Sequence, residues 1–265
     1  MSSLIGIVLA LILIGVGMVL KGTPLAALNN AAAFLIIFGG TTATIMVAFP
    51  FSEFKKIPKL LQIALLQRKT PSKVEQIALL IRCAEVAKKE GLLALEEIVL
   101  EIDDPFFKKG LEMIIDGNDA EFIEEVLFDE VEAMDKRHKV GALIFTQAGT
   151  YAPTLGVLGA VIGLVAALVN LNDIEKIGHS ISAAFIATLL GIFSGYVLWH
   201  PIANKLKRIS KQEQEGKMLV IEGLLAVYKG VIPKMLETKL MVYLPPKDRE
   251  KYQMKAGERA NEKVA

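Results

Sequence analysis

Cysteine is almost absent from this sequence. Cys83 is the single one among 265 residues, so a disulfide within the chain is impossible. One thiol in a charged helical stretch is typical of a protein in a reducing compartment. The net charge is +1, which gives no bulk attraction to nucleic acid. No basic segment precedes the first apolar run, so we expect that run to remain as a membrane span rather than to be removed as a signal peptide.

Charged residues are missing from the interior of the long apolar runs. The composition is 53% apolar and 22% charged, which predicts membrane spans joined to charged soluble segments. Asp, Glu, Lys and Arg are absent from the interior of the apolar runs, although an ion carrier normally holds an ionisable group at membrane depth. Either the chain conducts nothing, or a partner helix supplies the carboxylate. We assign no enzyme activity, catalytic residue, metal or cofactor.

Long apolar runs occupy the sequence near 4–21, 27–50, 142–170 and 178–203. Each approaches or exceeds the roughly 20 residues that cross a bilayer as a helix. Short links join them in pairs, and the excess of Lys and Arg beside the other span ends predicts that both termini and the large segments are cytoplasmic. Those basic residues are Lys55, Lys56, Lys59, Lys136, Arg137, Lys139, Lys205, Lys207, Arg208 and Lys211.

The fold expected is all-α, a polytopic membrane protein with four transmembrane helices and a helical cytoplasmic domain. In the cytoplasmic insert, Ser72 and Glu75 have the spacing of a capping box, which predicts that a helix begins there. Gly91 is a signal for the end of that helix. Three more helices are predicted to follow: one over Leu92 to Ile102, one that begins at Pro105, and an acidic helix from about Ala120 into the third span. The predicted domains are a hairpin over 1–50, the cytoplasmic helical insert 51–141, a second hairpin over 142–205 and a cytoplasmic C-terminal helix and tail over 206–265.

Small residues form a stripe along each of the last two spans. In the third span the stripe begins at Pro153 and continues in steps of three and four, and in the fourth it begins at Thr188. Such stripes let helices approach closely in lipid. They therefore predict either a docking surface for a partner helix or ordinary packing within this chain. Their members are Pro153, Gly156, Ala160, Gly163 and Ala167, then Thr188, Gly191 and Gly195.

The fourth run carries a family resemblance. "AFIATLLGIFSGYVLWHP", from Ala184 to Pro201, resembles the fourth-span signature of the MotA family of flagellar stator proteins. "PTLGVLGAVIGLV" is similar to the third span of that family, "AKKEGLLALE" to its cytoplasmic torque segment, and "YLPPKDR" to its tail. The resemblance covers nearly the whole chain in the same order.

The resemblance implies a ring of copies, with a pentamer expected, around two copies of a MotB-type partner. That partner has a single membrane span with an Asp and a periplasmic domain anchored to peptidoglycan. The complex would use ion flow to turn the rotor in the bacterial inner membrane. The residues implied to face the ion path or the partner helix are Pro153, Gly156, Ala160, Gly163, Thr188, Gly191 and Pro201.

The resemblance also implies contact with the rotor protein FliG. Alignment on Gly91 places Lys88 at the basic position of the torque segment and Glu96 at the acidic one. Lysine offers a point charge where some relatives have the forked donor of arginine. The alternative is that both are ordinary solvated surface charges.

The expected coupling ion is the proton. Sodium-type relatives have a Thr seven residues after the third-span proline, and here that position is Ala160, whose methyl group offers no ligand. One hydroxyl, on Thr188, is a poor substitute for the several oxygens that sodium requires. The alternatives are a sodium-driven stator or an energiser subunit like ExbB and TolQ, although those proteins have three spans. A self-contained transporter and a purely structural scaffold fit the sequence less well.

Overall fold

The computed structural model of the chain describes residues 2–66, 72–250 and 252, so most of the predicted tail lies outside the described residues. Every regular element within the described residues is helical, which confirms the predicted all-α class. The helices are α1 Ser2–Leu20, α2 Ala31–Phe34, α3 Gly40–Ala48, α4 Phe51–Phe54, α5 Ile57–Leu65, α6 Lys73–Glu90, α7 Leu95–Leu100, α8 Pro105–Ile115, α9 Ala120–Val169, α10 Ile174–Phe193, α11 His200–Tyr228 and α12 Pro233–Leu240.

Two membrane helices contain a π segment. Leu35–Gly39 connects α2 to α3, and Ser194–Trp199 connects α10 to α11. Short 3₁₀ turns cover Leu25–Leu28, Leu92–Ala94 and Met241–Tyr243. Single π turns occur frequently at functional sites in helices, and neither of these was predicted from the sequence.

Four helical stretches of the described residues are long and apolar enough to cross a membrane: α1, residues 31–48, α9 and residues 174–228. This confirms the predicted number of spans. The 50 residues of α9 extend about 75 Å at the rise of an α-helix. Since the hydrocarbon core is only about 30 Å thick, much of α9 must lie outside it.

The described residues form two compact units whose boundaries differ from the predicted domains. One combines 2–66 with 137–209, and the other combines 72–136 with 210–252. Residues 51–66 were predicted to belong to the cytoplasmic insert, but they pack with the spans. The reason is that α5 is amphipathic: Leu60, Leu61 and Ala64 lie against a cluster around Phe145 and Ile202.

The second unit has its own apolar core. Glycines allow close packing there, because a Cβ on Gly110 would meet the side chain of Leu224, and a Cβ on Gly223 would meet that of Leu80. Full burial of such side chains stabilises the unit by roughly 1.5–3 kcal/mol each. The largest fully buried side chains in this unit are Phe106, Phe107, Ile77, Leu80, Leu95, Leu111, Ile114, Ile123, Leu127 and Leu219.

The helix ends in the second unit follow the sequence signals with one exception. Gly91 ends α6 at a φ of 91°, which favours glycine. Asp104 caps α8 by accepting a hydrogen bond of 3.0 Å from the N–H of Phe106, and Pro105 is the first helical residue, as predicted. The exception is the capping box: Ser72 is the N-cap of α6, but its side chain accepts no cap hydrogen bond.

Candidate functional site

The two small-residue stripes pack against each other within the chain. A Cβ on Gly191 of α10 would lie 2.8 Å from the carbonyl oxygen of Ala152 and 2.9 Å from the Cα of Gly156. A Cβ on Gly163 would lie 2.8 Å from the Cβ of Ala184. Only glycine lets two helix backbones approach this closely. The glycines therefore belong to the intrachain packing of α9 on α10, the second of the two predicted alternatives.

This packing covers the centre of the stripes, while the prediction that the stripes face a partner helix stays a prediction. Gly156 and Gly191 are buried between α9 and α10, so their Cα atoms are already covered by the chain itself. Ala160, Gly163 and Thr188 are half-buried at the margin of the same contact. An ion path or partner helix could reach this margin, but not the centre of the contact.

The hydroxyl groups of the spans are hydrogen-bonded to their own helices. Thr188 donates to the carbonyl oxygen of Ala184 at 3.2 Å, and Ser194 donates to that of Gly191 at 3.1 Å. Thr42 and Thr44 of the second span donate in the same way, at 2.8 Å each. Each hydroxyl oxygen keeps lone pairs that can accept a hydrogen bond or contact a cation.

Pro153 interrupts the backbone hydrogen bonds of α9 at the place where the π segment of the fourth span packs against it. Proline has no N–H, so the carbonyl of Gly149 in α9 lacks its usual helical partner. Gly195, in the π segment Ser194–Trp199, lies against that carbonyl: a Cβ there would be 2.8 Å from the Gly149 oxygen and 2.8 Å from Cγ of Pro153. The proline of the third span and the π segment of the fourth are thus in direct contact.

The helix of the fourth span continues through Pro201 as far as Tyr228. The π segment explains this, because it ends immediately before the proline, and the N–H of His200 donates to the carbonyl oxygen of Gly195. A helix already shifted to the wider turn accommodates the missing N–H of the proline. Pro201 is exposed and lines a cavity with Lys205 rather than the contact between α9 and α10.

The spans contribute no metal-binding cluster among the described residues. Within residues 2–66, 72–250 and 252, no group of three or more His, Cys, Asp and Glu side chains converges on a point. Apart from the imidazole of His200, which lies against Gly149, the polar groups around Pro153 and Thr188 are backbone carbonyls and hydroxyls, since the apolar runs contain no carboxylate.

The predicted rotor-facing charges are both at the surface of the second unit. Lys88 lies in the last turn of α6 and Glu96 in the first turn of α7, on either side of Gly91, and both side chains are exposed. Neither forms an ion pair with another described residue. Nearby, Arg82 and Glu101 form a bidentate pair, and the hydrogen bonds between them raise the pKa of Arg82 and lower the pKa of Glu101.

Two exposed leucines beside these charges were missed by the sequence interpretation. Leu93 is 69% exposed and Leu100 is 83% exposed. The exposed residues share one face of the helix, because Leu93 and Leu100 are separated from Glu96 or Glu97 by spacings of three and four. The opposite face, with Leu95, Ile98 and Val99, packs into the core. The sequence did contain a signal for these exposed leucines. The segment around Glu96 has more apolar residues than one buried face of a helix can accommodate, so some of them must be exposed.

Cys83 is fully buried in the core of the second unit. Burial raises the pKa of its thiol to about 12, because the thiolate would have to lose its water. The side chain is therefore a small apolar packing residue, in keeping with a structural role.

The C-terminal segment is fixed to α11 by a polar group of three side chains. Tyr243 donates a hydrogen bond of 2.6 Å to Glu222, and Lys239 lies 2.8 Å from the same carboxylate. Burial and the bond to Glu222 raise the pKa of Tyr243 to about 12. For Glu222 burial acts upward, but the hydrogen bonds from Lys239 and Tyr243 outweigh it and leave the pKa lowered.

Comparison with known protein families covers most of the chain. Residues 99–217 match the MotA/TolQ/ExbB proton channel family, and residues 4–91 match the family described as Motility protein A N-terminal. Motility protein A of Bacillus subtilis (strain 168) is 55% identical over 251 residues, which are 95% of this chain and 93% of that protein.

Solved structures show the same fold. The flagellar MotAB stator complex from Bacillus subtilis contains a chain that superposes with a TM-score of 0.89 at 55% sequence identity, over 94% of this chain and 98% of that one. MotAB of C. jejuni gives a TM-score of 0.88 at 32% identity, over 92% and 96% of the two chains.

Proposed function

The chain belongs to the MotA/TolQ/ExbB proton channel family, and on that premise we propose that it is a stator subunit of the bacterial flagellar motor. Its identity of 55% over 95% of the chain with a Motility protein A carries the proposal. The corresponding protein of Bacillus subtilis is part of a MotAB stator complex. This chain accordingly assembles as a ring, which we take to be a pentamer, around a MotB-type dimer anchored to peptidoglycan.

The partner completes the ion path. No carboxylate is present inside the apolar runs of this chain, and a conducted proton needs a titratable group at membrane depth. The Asp of the partner helix supplies it. We place that helix at the half-buried margin formed by Ala160 and Thr188, since the glycines behind them are occupied by the contact between α9 and α10.

The proton is the coupling ion in this proposal. Thr188 supplies a hydroxyl at the margin, whereas the methyl group of Ala160 offers no oxygen. A sodium ion must exchange its water for several oxygen ligands, whereas a proton needs a carboxylate and a chain of water.

The subunit lies in the inner membrane with both termini in the cytoplasm. The excess of basic residues beside the span ends supports this orientation. A contact between two span ends agrees with it: Lys205, just after the fourth span, donates a hydrogen bond of 2.7 Å to the hydroxyl of Ser3, at the start of the first. These two ends therefore lie at the same side of the membrane.

Lys88 and Glu96 engage the charged surface of the rotor protein FliG. Their exposure on both sides of Gly91 supports this role. Reversal of either charge is expected to reduce swimming while the amount of protein in the membrane stays the same. Normal swimming by Lys88→Glu, Glu96→Lys and the double variant would contradict the assignment.

Complementation tests the function as a whole. The chain would be expressed with its MotB-type partner in a strain that lacks its stator, and swimming speed would be measured. We expect swimming only when both proteins are present, and none when the membrane Asp of the partner is replaced by Asn. Equal rescue by this chain alone, or no rescue by a pair that reaches the membrane intact, would refute the proposal.

A further inference from the structure

An apolar cavity of about 330 Å³ lies in the first unit, between α1, the end of α5 and the fourth span. Apolar side chains of α1 and of the fourth span form its walls, and Tyr196 is exposed beside it. The hydroxyl of Ser3 and the ammonium group of Lys205 lie together at one end of the cavity, nearest the ends of the two spans. The lining residues that the argument uses are Gly6, Ile7, Val197, Leu198, Ile202 and Lys205.

Lys205 gives this end of the cavity a positive charge. Its ammonium group is half-buried, and within the described residues its hydrogen-bond partner is the hydroxyl of Ser3 rather than a carboxylate. The sequence around it contains no acid: from Gly178 to Gln212 there is no Asp or Glu, while Lys207, Arg208 and Lys211 follow Lys205. An anionic group is therefore the complement that the cavity lacks.

We propose that the cavity binds one anionic phospholipid of the cytoplasmic leaflet. An acyl chain would lie along Ile7, Val197 and Leu198, and the phosphate would accept hydrogen bonds from Lys205 and Ser3. A slot that is apolar along its length and cationic at its end fits an amphiphile with a negative head group. Basic side chains at this boundary are attracted to anionic lipids. The choice of leaflet rests on the proposed orientation of the stator subunit.

Two substitutions separate the charge from the space. Lys205→Gln removes the ammonium group. Lys207→Gln is its control, because Lys207 is exposed and, two residues after Lys205, lies on the opposite face of the helix. Gly6→Leu fills the cavity and retains Lys205. A Cβ on Gly6 meets nothing within 4 Å, so the first atom of the new side chain has room. Gly17→Leu is the control on the same helix, where a Cβ also meets nothing within 4 Å.

The experiment measures lipid retained by the purified complex of the full chain with its partner. The complex is equilibrated with equal amounts of phosphatidylglycerol and phosphatidylcholine, and native mass spectrometry counts the bound lipids and the subunits. We expect retention of phosphatidylglycerol over phosphatidylcholine, a preference that falls about fivefold in Lys205→Gln, the factor that one lysine near an anionic surface contributes. Gly6→Leu should lose the bound lipid, and both controls should retain it.

Equal retention of the two lipids by the unaltered complex would overturn the proposal. So would a preference that survives both Lys205→Gln and Gly6→Leu, or one that Lys207→Gln lowers as much as Lys205→Gln. A change in subunit number in Gly6→Leu with the lipid preference intact would identify the cavity as a protein interface instead. None of these results depends on swimming, so failure here leaves the stator function untouched.

Discussion

Gly191→Ala tests the contact between α9 and α10. The added methyl group would lie 2.8 Å from the Ala152 oxygen and 2.9 Å from Cα of Gly156. Both are backbone atoms, which cannot rotate away as the end of a side chain can. Because non-bonded carbon atoms are separated by about 3.5–4.0 Å at their optimum, the helices must move apart by roughly 0.6 Å or more.

The expected cost follows from two opposing effects. Forcing one extra methyl group into a packed contact costs about 1–3 kcal/mol. Alanine returns up to about 1 kcal/mol through its higher helix propensity than glycine. When the full gain is subtracted, Gly191→Ala is expected to destabilise the chain by up to about 2 kcal/mol.

Gly178→Ala is the matched control, since Gly178 lies in the same helix and a Cβ there meets nothing within 4 Å. It should be neutral or slightly stabilising. The measurement is thermal unfolding of the purified full-length chain, followed by the fluorescence of Trp199, the single tryptophan, which lies in the adjoining π segment. If both variants unfold at the same temperature, the argument from backbone contact is wrong.

Three further predictions concern other parts of the chain. Cys83 should resist maleimide at pH 8 in the folded protein and react fully in denaturant, because its pKa is raised to about 12; rapid labelling of the native protein would contradict its burial. Swimming speed at fixed membrane potential should not change when sodium is replaced by potassium, and Ala160→Thr alone should not create a sodium requirement; loss of speed without sodium would favour a sodium-driven stator. Leu93→Ser should weaken torque without lowering membrane abundance, since Leu93 is 69% exposed beside Glu96. The control Val242→Ser, at a site that is 73% exposed and outside α7, should swim normally. Equal swimming by the two variants would show that the leucine contributes nothing to the rotor contact.

The spans could be predicted from the sequence because the bilayer imposes a simple length rule on apolar helices. The helix signals at Gly91 and Pro105 were equally local, and the structure agrees with both. The place of α5 could not be predicted in this way. Its amphipathic pattern shows that one face is buried, but not that the burying partners are Phe145 and Ile202, far along the chain.

The sequence suggested which residues form the candidate site, and the structure shows how some of them are arranged. The spacing of Gly156 and Gly191 indicated a close helix contact, yet spacing alone cannot say which helix makes it. The π segment beside Pro201 has no equally simple signal, because its hydrogen bonds depend on the packing of α9 against Gly195. For that reason the π segment was not predicted from the sequence.

The π segment Ser194–Trp199 also sets the phase of the fourth span. A turn closed by i→i+5 bonds holds one more residue than the α turn it replaces, and one residue of an α-helix corresponds to about 100° of rotation and 1.5 Å of rise. Loss of a single codon in this segment would restore an uninterrupted α-helix with almost the same composition. Thr188 and Lys205 would then face directions that differ by about 100° from their present relation. The length of this segment is therefore under tighter constraint than the identity of most residues within it.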